Sequence, residues 1–240
     1  MQTFSARVVR TTDLTHDVRE IELRLVEPAT IAFLPGQFVS FRVERPDLRH
    51  PITRAYSIAS SPDRAGAIDL VFNRVPGGPG SEYLFSLREG DDTGFRGPVG
   101  SFTLRPGTRD LLFVATGTGI APFRSMLHWL AEHEPTRRVT LFWGVRSERD
   151  VYYQEELAAL AARLRNFSFV TTLSQPEGRW TGVVGRVLPL VERVESVSNL
   201  EVFACGNSAM IADVTGIIRA KGICPIHREQ YYADSYGTPS

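Results

Sequence analysis

Cysteine is scarce in this chain: Cys205 and Cys224 are the two among 240 residues. A cysteine-held iron–sulfur cluster needs four thiolates, so none is expected here. No C-x-x-C or H-x-x-x-H spacing occurs, which argues against a structural zinc site, and no metal is expected. Two unmatched thiols suit a reducing compartment, so a cytoplasmic protein is expected. Lysine is rarer still, with Lys221 alone, and arginine supplies most of the 27 basic residues that balance 27 acidic ones. A nucleic-acid binder would carry a basic stripe, and neither half of the sequence does. No apolar run is long enough to span a membrane, and Met1–Arg10 lacks the apolar stretch of a signal peptide.

What is present divides the chain near residue 105. Before it, short segments rich in β-branched and apolar residues predict strands over Phe4–Val9, Arg19–Val26, Gln37–Val43, Ala55–Ala59 and Ile68–Val75. Turn signals at Leu34-Pro35-Gly36, Ser61-Pro62-Asp63 and Pro76-Gly77-Gly78 separate them. Arg19–Leu25 alternates polar and apolar residues, as a half-buried strand does. The spacing predicts a small antiparallel β-barrel over 1–104, with a short helix over Ser81–Leu87. After Pro106-Gly107 the pattern changes. Strands over Leu111–Ala115, Val139–Trp143, Phe167–Leu173 and Leu200–Cys205 alternate with helices over Pro122–His133, Val151–Leu164, Arg186–Val191 and Ser208–Ala220. That alternation predicts an α/β domain with a parallel sheet over 105–240, closed by an extended segment Ile226–Tyr232.

Gly117-Thr118-Gly119-Ile120-Ala121-Pro122 lies between a buried strand and a helix. An open parallel sheet binds a dinucleotide at that place, where glycines admit a pyrophosphate and the helix N-terminus favours its charge. Pro122 suits a first helical turn. By itself the motif also fits a purely structural βα turn. Cys205-Gly206-Asn207 ends the last strand of this half, where a thiol could share the same crevice or be an ordinary buried cysteine.

In the first half, Arg54-Ala55-Tyr56-Ser57 opens a strand. Alternation puts Arg54 and Tyr56 on one side, a fixed cation beside an aromatic face. A flavin dinucleotide offers a pyrophosphate and a flat ring to match. Ser57 could hydrogen-bond ring N5, although alternation aims it at the opposite face. The tetrapeptide alone equally describes a strand with a surface arginine. Gly77-Gly78-Pro79-Gly80-Ser81 could cradle a phosphate at a helix start, or be a glycine turn capped by Ser81.

Taken in order, these motifs resemble the ferredoxin–NADP⁺ reductase superfamily over nearly the whole chain. Arg54-x-Tyr56-Ser57 matches its flavin motif, and Gly77-Gly78-x-x-Ser81 its pyrophosphate loop. Gly90-Asp91 and Phe95-Arg96-Gly97-Pro98-x-Gly100 match the end of its barrel. Gly117 to Pro122 match its nicotinamide signature, Cys205-Gly206 its cysteine, and Glu229-x-Tyr231 its carboxy-terminal acid and aromatic. The resemblance implies a flavoenzyme that takes hydride from NAD(P)H. Ser57, Cys205, Glu229 and Tyr231 would be catalytic, Tyr231 covering the flavin until nicotinamide displaces it. Arg54, Ala55, Tyr56, Gly78, Gly80 and Ser81 would hold FAD, favoured over FMN because most members use it. Thr116, Gly117, Thr118, Gly119, Pro122, Arg146, Ser174, Gly206 and Asn207 would hold the nicotinamide nucleotide. Tyr232 is a rival for the stacking role, and Ala233–Ser240 extends past the usual terminal aromatic.

NADPH-specific relatives often place a Ser-Arg pair after the third strand of the nucleotide domain. Here that place reads Ser174-Gln175-Pro176, which favours NADH. Arg146 and Arg149 could still pair a 2′-phosphate or simply be a solvated loop. Phe142-Trp143-Gly144 and Leu173–Pro176 look like reductases of bacterial oxygenases. The expected acceptor is therefore a separate carrier, a ferredoxin or an oxygenase component, with the cluster on another polypeptide. A free flavin or quinone reductase, or an electron-transfer subunit of a larger complex, are the alternatives. A monomer or homodimer is expected.

Overall fold

A strand buried on one face hides every second side chain, and the first hundred residues do so repeatedly. The computed structural model describes residues 1–44 and 50–231. Six antiparallel strands form the first sheet among them: β1 (Gln2–Asp13), β2 (Val18–Glu27), β3 (Phe38–Val43), β4 (Ile52–Ser57), β5 (Ala67–Asn73) and β6 (Asp92–Val99). Their spatial order is β4-β3-β6-β1-β2-β5. The sheet curls until its outer members meet at an Ile58–Leu70 bridge just beyond β4. Phe4, Ile21, Leu23, Phe41 and Phe95 fill the interior, with Phe4 and Phe95 stacked at 5.3 Å between ring centroids. Each such side chain contributes about 1.5–3 kcal/mol on burial. Helix α1 (Pro79–Ser86) lies between β5 and β6 in sequence.

β6 sits between β3 and β1, yet the sequence reading placed no strand there. Asp-Thr-Gly-Phe-Arg-Gly-Pro-Val carries little β-branched bulk. Its Gly97 answers a packing need: a Cβ would stand 3.0 Å from Val39 Cγ1 and 3.3 Å from the Phe38 carbonyl oxygen.

The second sheet is parallel and also has six strands among the described residues. In chain order the elements are β7 (Asp110–Thr116), α2 (Ala121–His133), β8 (Val139–Val145), α3 (Gln154–Arg163), β9 (Phe167–Leu173), β10 (Val183–Val184), α4 (Leu188–Glu192), β11 (Leu200–Gly206), α5 (Ser208–Lys221) and β12 (Ile226–Gln230). The spatial order is β10-β9-β8-β7-β11-β12. The chain winds outward from β7 to β10 and then returns to β11. The crevice of such a sheet opens where the order reverses, between the carboxyl ends of β7 and β11. One face is covered by α2 and α3 through Phe123, Met126, Leu127, Leu130, Leu157 and Leu160. The other is covered by α4 and α5 through Val191, Met210, Ile211, Val214 and Ile218. Val18, Ala59 and Val71 of the first half belong to the same apolar cluster as Phe123, so the core runs across the junction.

Helix α3 starts three residues later than its periodicity predicts, because Tyr153 takes a left-handed backbone with φ 57°. The two-residue β10 lies beside β9 and was not foreseen; two valines give no periodicity to read.

Candidate active site

The strand that carries Arg54, Tyr56 and Ser57 is an edge of the curled sheet. Thr53 and Ala55 are exposed, whereas Arg54 and Tyr56 are half-buried on the other side. Helix α1 abuts that side. A Cβ on Gly80 would stand 2.5 Å from the Tyr56 hydroxyl and 2.6 Å from Arg54 Cγ. Glycine thus lets a helix N-terminus approach an arginine and a tyrosine, and both the helix end and the guanidinium attract an anion. The Ser81 hydroxyl is committed locally: it accepts from Val75 N–H at 3.0 Å and contacts the Val75 and Gly78 carbonyls. Gly78 serves the tight turn, since a Cβ there would meet Val75 at 2.7 Å. The donors fit the diphosphate of FAD, and the Tyr56 ring, edge-on to Phe41 and Phe72, is braced to receive a flat ring.

In the parallel sheet, Gly117–Ile120 forms one tight 3₁₀ turn after β7 and runs into α2. Gly117 has φ +52° and open space where a Cβ would be. Gly119 has a different reason to be glycine than close ligand approach: a Cβ would lie 2.4 Å from the Cys205 carbonyl oxygen. Gly206, at φ +133°, would place its Cβ 2.3 Å from Thr116 Oγ1. These two glycines close the seam between β7 and β11. Thr116 Oγ1 then accepts from Asn207 N–H at 3.0 Å. Asn207 Oδ1 caps α5 through the Ala209 and Met210 amides. Pro122 is buried in the first turn of α2.

A cavity of about 750 Å³ opens over this crevice, within the range of small-molecule sites. Thr116, Gly117, Thr118, Arg146, Ser174, Gly206, Asn207 and Tyr231 line it. Thr172, also on its wall, has a fully buried hydroxyl without a partner among the described residues. An orphaned hydroxyl beside two helix starts and an arginine fits a polyhydroxylated, phosphorylated nucleotide. Gln175 N–H donates to the Arg146 carbonyl at 2.7 Å, and Arg149 lies 3.7 Å from Glu177, so Arg146 is the member of that pair turned to the cavity.

Four side chains come together where the two halves face each other across the crevice. Register pairs Cys205 of β11 with Glu229 of β12. The Ser57 hydroxyl donates to Glu229 Oε2 at 3.1 Å across the junction. The Tyr231 hydroxyl lies 3.3 Å from Ser57 Oγ and 3.2 Å from the Thr118 carbonyl. Burial raises Glu229 to about 7, with the Ser57 bond pulling the other way. Burial, helped by Glu229, raises Cys205 well above the usual thiol range, so it is a neutral thiol. Ser57 is thus buried at the junction, with Glu229 as its acceptor. Tyr232 and Ala233–Ser240 lie outside the described residues.

Four contributors escaped the sequence reading of the site. Trp143 Nε1 and the Tyr152 hydroxyl both hold the Gly117 carbonyl, at 2.9 and 3.3 Å. Asn73 at the end of β5 accepts from Thr118 Oγ1 at 3.3 Å. Arg186 joins Arg146 on the cavity wall. Only Arg186 carried a visible signal, a cation after a glycine-rich segment.

Comparison with known proteins agrees with this geometry. Residues 5–104 match the oxidoreductase FAD-binding domain family, and residues 113–216 the oxidoreductase NAD-binding domain family. Ferredoxin–NADP reductase B of Sorangium cellulosum is 36% identical over 95% of this chain and 97% of its own length. The toluate 1,2-dioxygenase electron transfer component of Pseudomonas putida is 33% identical over 92% of this chain, which spans 65% of that relative. The crystal structure of the Amycolatopsis cytochrome P450 reductase GcoB superposes with a TM-score of 0.84 at 30% identity, covering 95% of this chain and 69% of that one. Among the described residues no helix is long and apolar enough to cross a membrane.

Proposed function

The chain belongs to the ferredoxin–NADP⁺ reductase-like oxidoreductases, which join a FAD-binding to a NAD-binding domain, and from that premise we propose that it moves electrons from NAD(P)H through FAD to a separate carrier protein. The carrying observation is the junction of Ser57, Cys205, Glu229 and Tyr231, where the two cofactor cradles meet. Bound FAD supplies the chemistry that accepts a hydride and releases electrons one at a time. Residues 1–104 form the flavin module and 105–240 the nucleotide module. Arg54 and the α1 N-terminus hold the flavin diphosphate, and Tyr56 packs on its ring. The turn from Gly117 to Pro122 holds the nucleotide diphosphate. Ser57, held by Glu229, would offer its hydroxyl to the flavin ring. Tyr231 shields Ser57 from water and must swing aside for nicotinamide, while Cys205 offers a neutral, polarisable surface behind it.

The acceptor is a ferredoxin or an oxygenase component. Two cysteines cannot hold a cluster within these 240 residues, so the one-electron centre lies outside them. NADH is the favoured donor, since Gln175 cannot neutralise a 2′-phosphate; Arg146 and Arg186 set the limit of that preference.

The test is anaerobic addition of NADH to the purified yellow protein. Bleaching of the flavin is expected, followed by faster turnover with a ferredoxin than with free flavin. A colourless protein that takes up neither FAD nor FMN refutes the proposal. Turnover with free flavin or quinones and none with ferredoxins would reassign the acceptor.

A further inference from the structure

We propose that Arg124 is a positioning residue for hydride transfer, clamping the strand end that carries Ser57 to the helix that follows the dinucleotide turn. The inference rests on the function proposed above. Arg124 stands in the first turn of α2, directly after Gly117–Ile120. Its Nη1 crosses to the curled sheet and donates to the Ala59 carbonyl at 3.2 Å and to Asp69 Oδ2 at 3.1 Å. Glu20 Oε2 is 3.7 Å away. Its Nε donates back to Glu156 on α3 at 2.7 Å. Ala59 lies two residues past Ser57, and its own N–H donates to the Asp69 carbonyl at 2.8 Å. One guanidinium therefore grips both strands at the point where the flavin-facing serine emerges.

A second observation comes from α3. Tyr153 holds a left-handed backbone at φ 57°, which a tyrosine keeps only where its surroundings fix it. That conformation sends its side chain across the same seam. Its hydroxyl donates to Glu20, and its ring lies 5.0 Å from the Arg124 guanidinium carbon. The strain in Tyr153 and the reach of Arg124 converge on one seam.

The network exceeds what holding the two sheets together requires. Asp69 also pairs with Arg64 at 2.8 Å, and Glu20 with Arg10 at 3.2 Å. Both buried carboxylates keep a cation when Arg124 is removed, so each half still folds. What changes is the relation between Ser57 and Gly117–Ile120. A displacement of about 1 Å between reacting groups can slow a reaction by about a hundredfold.

The experiment compares FAD-loaded wild type with Arg124→Gln, Arg124→Lys and Tyr153→Phe. Flavin bleaching is followed at saturating NADH, and hydrogen exchange of the Ala59–Asp69 and α2 amides is followed without NADH. Arg124→Gln should slow bleaching by about ten- to a hundredfold, while half-saturation by NADH moves less than about threefold. Exchange at the seam should quicken. Lysine keeps the charge but offers a single point of donation, so Arg124→Lys should recover the rate only in part. Bleaching within about twofold of wild type in a flavin-loaded Arg124→Gln overturns the inference. So does slowed bleaching with wild-type exchange at the seam. Should Arg124→Gln fail to hold FAD, Tyr153→Phe decides: a rate lowered about threefold supports the clamp, and an unchanged rate overturns it. A wild type that NADH does not bleach refutes the underlying function as well, which separates the two failures.

Discussion

Removing the negative charge from Glu229 should stabilise the protein above neutral pH. Burial lifts this carboxyl to about 7 from an ordinary 4.5. In the unfolded chain it titrates near the ordinary value. Between those two pH values the folded state binds more protons than the unfolded one. The stability this group contributes is therefore complete below 4.5, falls through the window and is lost above 7. At about 1.4 kcal/mol per pH unit, the penalty at pH 8 is about 3 kcal/mol. Glu229→Gln cannot ionise, and its carbonyl still accepts from Ser57. A protein of this size shifts its melting temperature by roughly 2–4 °C per kcal/mol. The variant should melt roughly 6–12 °C above wild type at pH 8 and alongside it at pH 4.5. Thermal melts from pH 4.5 to 9 in matched ionic strength give the difference curve. A difference that stays constant across that range, or a variant less stable at pH 8, refutes the assignment of the titrating proton to Glu229.

Three other substitutions follow from close contacts. Gly80→Ala pushes α1 away from Arg54 and Tyr56; FAD titration should show affinity lowered by about tenfold or more, equivalent to about 1.4 kcal/mol, and unchanged affinity would remove α1 from the flavin site. Gly206→Ala strains a φ of +133° and meets Thr116 Oγ1, so melting should show a loss of about 1–3 kcal/mol, together with weaker nucleotide binding. Arg146→Ala should lower kcat/KM for NADPH by about tenfold and leave NADH within about twofold; equal losses for both donors would place Arg146 off the 2′-position.

Most of the strand and helix order was legible because burial writes a period into the sequence. Phe167–Leu173 was read to the residue, and Leu200–Cys205 fell one short. β6 was not legible, since a strand whose inward positions include Gly97 shows no alternation of bulk; its evidence is a neighbour's proximity. The late start of α3 was hidden for a related reason. Tyr153 leaves the helix to satisfy Glu20, a residue more than a hundred positions away. At the site, the residue types were readable and their partners were not. Gly119 looked like a place for a ligand, and the structure gives that space to the Cys205 carbonyl. Ser57 looked misdirected by alternation, because its partner Glu229 lies 172 positions away and leaves no local signal.

The bond between Ser57 and Glu229 joins residues 172 positions apart, and that separation orders events during synthesis. Once Val99 has been added every strand of the curled sheet has been synthesised, and domains fold as they emerge. The flavin cradle can therefore form on the nascent chain while β12 is still unmade. Glu229 and Tyr231 arrive only when β12 docks on β11. A chain halted before that step can hold the curled sheet and β7 to β11 yet lacks the contacts that Glu229 and Tyr231 make with Ser57.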